Sequence, residues 1–207
     1  MKKQSRIEWL FSSRNKEELA ERYAQWAKDY DTELEQDFEW RGPQRTAELF
    51  VRYVPQEARI LDAGAGTGLM GELLLKLGYH NLVAMDLSEA MLAEARKKNV
   101  YREFHQMVMG EPLAFATDSF EAVVSTGVLT VGHAPASSFD ELVRITRPGG
   151  HILFTLRTDV YQDRGFKEKQ TALESEEKWK LVEVSEKTPL LLKEPDVFHQ
   201  IWVYQVI

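Results

Sequence analysis

The sequence predicts an α/β fold: a doubly wound, mostly parallel sheet of seven strands, preceded by an N-terminal helical lid. Three observations predict it. Short apolar runs alternate with helical patterns from Arg59 to Arg157. One strand-to-helix corner, "LDAGAGTGL", carries three alternating glycines. Two further apolar runs close the chain after a polar stretch.

The elements follow in order. From Glu17 to Tyr30, Leu19, Tyr23, Trp26, Ala27 and Tyr30 recur at three- and four-residue steps, which predicts one helix with an aromatic face. A second helix covers about Pro43 to Tyr53 and stops before Pro55. "ARILD" reads as a buried strand, "GLMGELLLKLG" as a helix closed by Gly78, and "NLVAMD" as the second strand. Ser88 caps a helix containing Met91, Leu92 and Ala95. "EFHQMVM" and "FEAVVST" are the third and fourth strands. "SFDELVRIT" is a helix with a Ser138–Glu141 capping box, "RPGG" a turn, and "HILFTLR" the fifth strand. Residues 158–178 are polar and poorly periodic and read as a wall beside the site. "WKLVEVSE" and "VFHQIWVYQVI" read as an antiparallel addition at the sheet edge. The expected organisation is one domain: a lid over 1–55, a ligand-binding core over 56–157, and strands completing the sheet over 158–207.

Composition narrows the function. The 207 residues carry a net charge of −7, which disfavours generic affinity for nucleic acid or anionic membrane. There is no cysteine, so disulfides, thiolate metal sites and a cysteine nucleophile are excluded. The opening "MKKQSRIEWLF" lacks the apolar region of a signal peptide, and no run approaches a membrane span. The expectation is a soluble, cytoplasmic protein.

The glycine corner admits three readings. A P-loop fails, because no Gly-Lys-Ser/Thr follows. A dinucleotide fingerprint needs Gly-x-Gly-x-x-Gly. Here the third glycine, Gly68, comes one residue early and Leu69 stands in its place. Yet Asp86 ends the next strand near the roughly 20-residue offset of a carboxylate that binds ribose. A ligand with a ribose and no phosphate suits that combination.

"LDAGAGTG", "AMD" and "RPGGHIL" together resemble motif I, motif II and the fifth-strand turn of class I S-adenosylmethionine-dependent methyltransferases, over roughly residues 20–157. "YAQWAKDYD", "ILDAGAGTGL", "LSEAMLAEAR" and "ELVRITRPGG" are also similar to the Williams–Beuren-region methyltransferase-like group. The resemblance implies a Rossmann-like fold and S-adenosylmethionine as cofactor, with S-adenosylhomocysteine as product. Gly64, Ala65, Gly66 and Gly68 would form the corner that admits the cofactor's methionine part. Asp62 would stand near its ammonium and sulfonium, and Asp86 would accept both ribose hydroxyls. Leu87 and Met91 would sandwich the adenine, and Ser125, Thr126 and Gly127 would floor the methyl group. The family often has an aspartate after strand three. That position here is Met109, so Gly110 or Glu111 is expected to contact the adenine.

Several residues carry two readings. Tyr23 and Tyr30 resemble family positions whose hydroxyls reach the cofactor, whereas an aromatic stripe is also what a helix core shows. Trp26 and Ala27 read as packing. Arg41 is either a partner for the cofactor carboxylate or a solvated arginine at a helix start. His133 is either a general base after strand four or a loop histidine without a role, and the other four histidines read as structural or surface residues. Arg157 and Tyr161 are candidate acceptor contacts.

The chain has no "NPPY" motif for exocyclic base amines, and strand four ends without the acidic cluster of magnesium-dependent catechol-type enzymes. With the acidic charge, these features favour methyl transfer to an oxygen or nitrogen of a small molecule. Two alternatives stand beside it: an S-adenosylmethionine-binding regulatory or interaction module without turnover, and a nicotinamide-dependent oxidoreductase.

Overall fold

The computed structural model describes residues 6–130 and 132–207. Four parallel crossovers build the centre of the sheet. β1 (Ile60–Ala63), β2 (Leu82–Asp86), β3 (Glu103–Gln106), β4 (Phe120–Ser125) and β5 (Thr146–Arg157) all run the same way. β8 (Phe198–Val206) pairs antiparallel with β5, and β6 (Trp179–Val184) pairs antiparallel with β8. The order is β3-β2-β1-β4-β5-β8-β6. A two-residue β7 (Thr188–Pro189) beside β8 brings the sheet to eight strands rather than seven. The order reverses between β1 and β4, and ligands of such sheets bind beyond the strand carboxyl ends at that point.

Strand periodicity divides the core in two. Ile60, Leu82 and Ala84 face one side with α4 (Gly42–Tyr53), α5 (Leu69–Lys76) and α6 (Glu89–Lys97). Leu61, Val83 and Met85 face the other with α7 (Ser138–Ile145), α8 (Thr158–Asp163) and α9 (Phe166–Ser175). Both faces are buried, so β1 and β2 are continuously apolar except for Asp62 and Asp86.

The structure departs from the sequence expectations at five places. The helix expected over 17–30 is broken: α2 (Lys16–Trp26), capped by the Asn15 side chain, ends at Trp26, and α3 (Tyr30–Glu33) leads into a π-helical turn, Leu34–Phe38. The bend brings the Trp26 and Tyr30 rings edge to face, with centroids 4.6 Å apart. The segment expected as a lid over 1–55 divides accordingly: α1 (Arg6–Phe11), α2, α3 and the π turn pack around Leu10, Leu19, Trp26, Leu34 and Phe38, whereas α4 packs into the sheet core. Residues 1–5 of that segment lie outside the described residues.

The polar stretch 158–178 is mostly helical. Phe166, Gln170 and Leu173 form a buried stripe, and the buried amide masks its period because Gln170 Oε1 accepts the Tyr204 hydroxyl at 2.9 Å. The capping box is not formed. Ser137 occupies the cap position, and Glu141 instead accepts the Leu113 N–H at 2.7 Å and binds Arg144. "RPGG" is a bulge inside β5: pairing steps from Phe120–Thr146 to Ala122–His151.

Candidate active site

The glycine corner sits at the sheet reversal and is held from below. Gly64 and Ala65 N–H both donate to Met85 O, at 2.7 and 3.0 Å. Gly66 N–H donates to Asp86 Oδ2 at 2.8 Å, and Ser88 N–H donates to Asp86 Oδ1 at 2.9 Å. Asp86 therefore fixes both the loop after β1 and the start of α6. Burial raises its pKa, opposed by the backbone N–H groups of Ser88, Gly66 and Leu87.

Asp62 is 1% exposed, and its Oδ2 accepts the Tyr101 hydroxyl at 2.6 Å. The same hydroxyl accepts the Gly71 N–H at 3.2 Å, tying β1 to α5. Burial pushes the Asp62 carboxyl up to about 7, against the Tyr101 hydrogen bond and with help from the Asp86 charge. Below pH ~4 the folded and unfolded chains both hold this proton, so stability is fully present. Between pH ~4 and about 7 only the folded chain holds it, so stability falls as pH rises. Asp62→Asn is expected to remove this dependence, a change of up to roughly 4 kcal/mol across the window. Urea unfolding at pH 4, 5.5, 7 and 8.5 should show the variant gaining on the parent up to pH 7 and levelling beyond it. A constant difference would contradict the assignment.

Two chambers open above the corner. The first is lined by Gly64, Gly66, Asp86, Leu87 and Met91 on one side and by Met107–Met109 and Thr126–Val128 on the other. The second, wider, lies between α1 and α2, the ends of β4 and β5, and the segment before β8. Tyr23, Tyr30, Thr126, Gly127 and His133 line both. At this shared wall the Tyr23 hydroxyl lies 2.8 Å from His133 Nε2. Burial holds the Tyr23 and Tyr30 phenols above their ordinary pKa, so both stay protonated. α3 is tied to the corner through Asp31, which accepts the Thr67 hydroxyl and pairs with Lys98 at 2.7 Å.

The structure thus brings Tyr23, Tyr30, Gly64, Gly66, Asp86, Leu87, Met91, Thr126, Gly127 and His133 together. Others lie apart. Ala65 and Gly68 shape the corner from behind, and Gly68 packs toward Tyr101 and Ala95. Gly110 packs toward Pro135, and Glu111 pairs with Lys16 at the rim, so Val108 and Met109 themselves face the chamber. Arg41 lines a separate groove with Asp31, Glu35 and Glu72. Arg157 lines the second chamber, whereas Tyr161 packs on Trp202 with ring centroids 4.9 Å apart. Ser125 is fully buried and donates to Ala63 O at 2.8 Å.

Sequence reasoning missed Tyr101, Trp40, Thr130 and His199. Trp40 reaches the second chamber through a bridge to Leu191, and His199 does so by pairing opposite Arg157. Neither contact leaves a local signal in the sequence.

A family profile described as a methyltransferase domain matches residues 61–154. Methyltransferase-like protein 27 of Homo sapiens is 33% identical over 141 residues, covering 66% of this chain and 57% of that protein. Malonyl-[acyl-carrier protein] O-methyltransferase of Legionella pneumophila is 32% identical over 161 residues, covering 75% of this chain and 54% of that protein. The chain thus spans little more than half the length of these two relatives. Among solved structures, 1,6-didemethyltoxoflavin-N1-methyltransferase of Burkholderia thailandensis, with 1,6-didemethyltoxoflavin and S-adenosylhomocysteine bound, aligns with a TM-score of 0.67. It is 15% identical, and the match covers 91% of this chain and 87% of that one. At that identity the likeness shows the fold alone.

Proposed function

We propose that this chain, which belongs to the class I S-adenosylmethionine-dependent methyltransferases, transfers a methyl group to an oxygen or nitrogen of a small molecule held in the wider chamber. The observation that carries this reading is the wall shared by the two chambers, where a group held in one meets a group held in the other. When bound, S-adenosylmethionine supplies a methyl group already activated by its sulfonium. The protein's task is alignment and exclusion of water.

The residues of the first chamber fit that cofactor. Asp86 gives one lone pair of each oxygen to the backbone and keeps others for the ribose hydroxyls. Leu87 and Met91 would flank the adenine. Gly64 and Gly66 let the chain approach the amino-acid part, and Asp62 acts at one remove, by fixing Tyr101 beneath the corner. Thr126 and Gly127, which line both chambers, would form the floor beneath the methyl group. A proton leaving the acceptor goes to His133, directly or through the Tyr23 hydroxyl.

The test is release of S-adenosylhomocysteine from S-adenosylmethionine across a panel of small hydroxyl and amine acceptors. Turnover of at least one, lost in Asp86→Ala, is the expected result. Cofactor binding with no turnover on any acceptor would favour the regulatory-module reading. With an active acceptor in hand, His133→Ala is expected to lower kcat about 100-fold while S-adenosylhomocysteine affinity changes less than about threefold. An unchanged kcat would remove His133 from the proton path.

A further inference from the structure

We propose that the acceptor is a planar aromatic molecule without negative charge that carries a ring hydroxyl, the atom methylated; this rests on the methyl-transfer reading above. The walls of the second chamber are built for a flat ring. Trp26, Tyr30 and Trp40 line it, and the His199 ring stands edge to face with Trp40, centroids 5.9 Å apart. Leu129 and Leu191 complete an apolar lining. Aromatic walls reward a ligand ring with offset or edge contacts that a puckered ring of equal size cannot make.

Polar atoms in this chamber await a partner. Among the described residues, eight side chains hold a buried polar atom without a hydrogen bond, and four of them line this chamber: Trp26 Nε1, Thr126 Oγ1, Thr130 Oγ1 and His199 Nδ1. Trp26 is 1% exposed and His199 7%, so water does not serve these side chains freely. The indole N–H can only donate, and the hydroxyls can donate, so the matching ligand presents a hydrogen-bond acceptor.

The charges of the chamber disfavour an anion. Arg157 is held by both oxygens of Asp159, at 3.1 and 2.7 Å. Lys193 lies 3.7 Å from Glu39, and Glu194 and Asp196 share the lining. Burial pushes the His199 pKa down to about 4, so it adds no charge at neutral pH. With Arg157 and Lys193 each paired, Glu194 and Asp196 leave an excess of negative charge, which recognises neither a phosphate nor a carboxylate group.

The proton path selects oxygen over nitrogen. A neutral amine attacks with its lone pair and needs no base first, whereas a phenol gains most of its nucleophilicity by losing its proton. The Tyr23–His133 pair lies on the wall shared by the two chambers, within reach of such a proton. The ring O–H bond breaks, its proton goes to the pair, the oxygen forms the new O–C bond, and the C–S bond of the sulfonium breaks to leave a neutral thioether.

The test is calorimetric titration of the protein saturated with S-adenosylhomocysteine, using three probes of one size: 2-naphthol, decahydro-2-naphthol and 2-naphthoate. The expected result is one-to-one binding of 2-naphthol at least tenfold tighter than either of the others. Thr130→Val should weaken 2-naphthol roughly five- to tenfold, with S-adenosylhomocysteine binding as the check that the variant is folded. Equal or tighter binding of the saturated or the charged probe overturns the proposal, as does an unchanged affinity in Thr130→Val. If S-adenosylhomocysteine itself fails to bind, it is the methyl-transfer reading that falls.

Discussion

Asp86→Ala is expected to weaken S-adenosylhomocysteine binding about 10–100-fold, the loss of roughly 1.5–3 kcal/mol of charge-assisted hydrogen bonding. The effect has two sources. The carboxylate would no longer accept the ribose hydroxyls, and the N–H groups of Gly66 and Ser88 would lose the acceptor that fixes the corner. Asp86→Asn separates this account from a purely steric one. An amide offers a single acceptor oxygen, while backbone N–H groups approach both oxygens of Asp86, so one of them would face an NH₂. Asn should therefore behave nearly as badly as Ala despite its matched shape. Titration calorimetry on both variants checks this. Near-parental affinity in Asp86→Asn would mean that the second oxygen has no role.

Gly64→Ala should destabilise the fold by about 2–5 kcal/mol. Gly64 has φ +83°, where a Cβ costs roughly 1–2 kcal/mol, and the added carbon would fall inside Val128 Cγ2. Overpacking of that kind costs about 1–3 kcal/mol more. Against a total stability of roughly 5–15 kcal/mol, the loss should be plain in urea unfolding. Gly66→Ala is the informative contrast. Its Cβ would lie 3.5 Å from Met91 Cε, an ordinary contact, so the variant should fold with only the backbone strain at φ +54°. Its methyl group would still narrow the first chamber and weaken cofactor binding. Equal stability of Gly64→Ala and the parent would mean that Val128 yields without cost.

The sheet and the first chamber were legible because their signals are local. Buried parallel strands are continuous apolar runs, and a glycine corner followed by Asp86 fits in about 25 residues of sequence. Asp86 was legible as a residue of the first chamber but not as the anchor of the corner, because hydrogen bonds to backbone N–H groups leave no trace in residue identity. Tyr101 was missed for a related reason: its partner Asp62 lies 39 residues away, and buried polar pairs follow no period.

The second chamber was the least legible part. Trp40, Thr130 and His199 meet there only because β8 returns antiparallel beside β5 and Trp40 bridges to Leu191. Arg41 carried the right chemistry for a carboxylate, but the break after Trp26 and the π turn place it outside both chambers. The stripe in α9 was hidden by Gln170, a polar residue in a buried position that Tyr204 satisfies.

The central claim is that the chamber at the glycine corner holds S-adenosylmethionine. Isothermal titration of the protein with S-adenosylmethionine, S-adenosylhomocysteine and NADH tests it most directly. One-to-one binding of both sulfur ligands, with none of NADH, is the predicted result. Failure of both sulfur ligands to bind folded protein, or tighter binding of NADH, would contradict it.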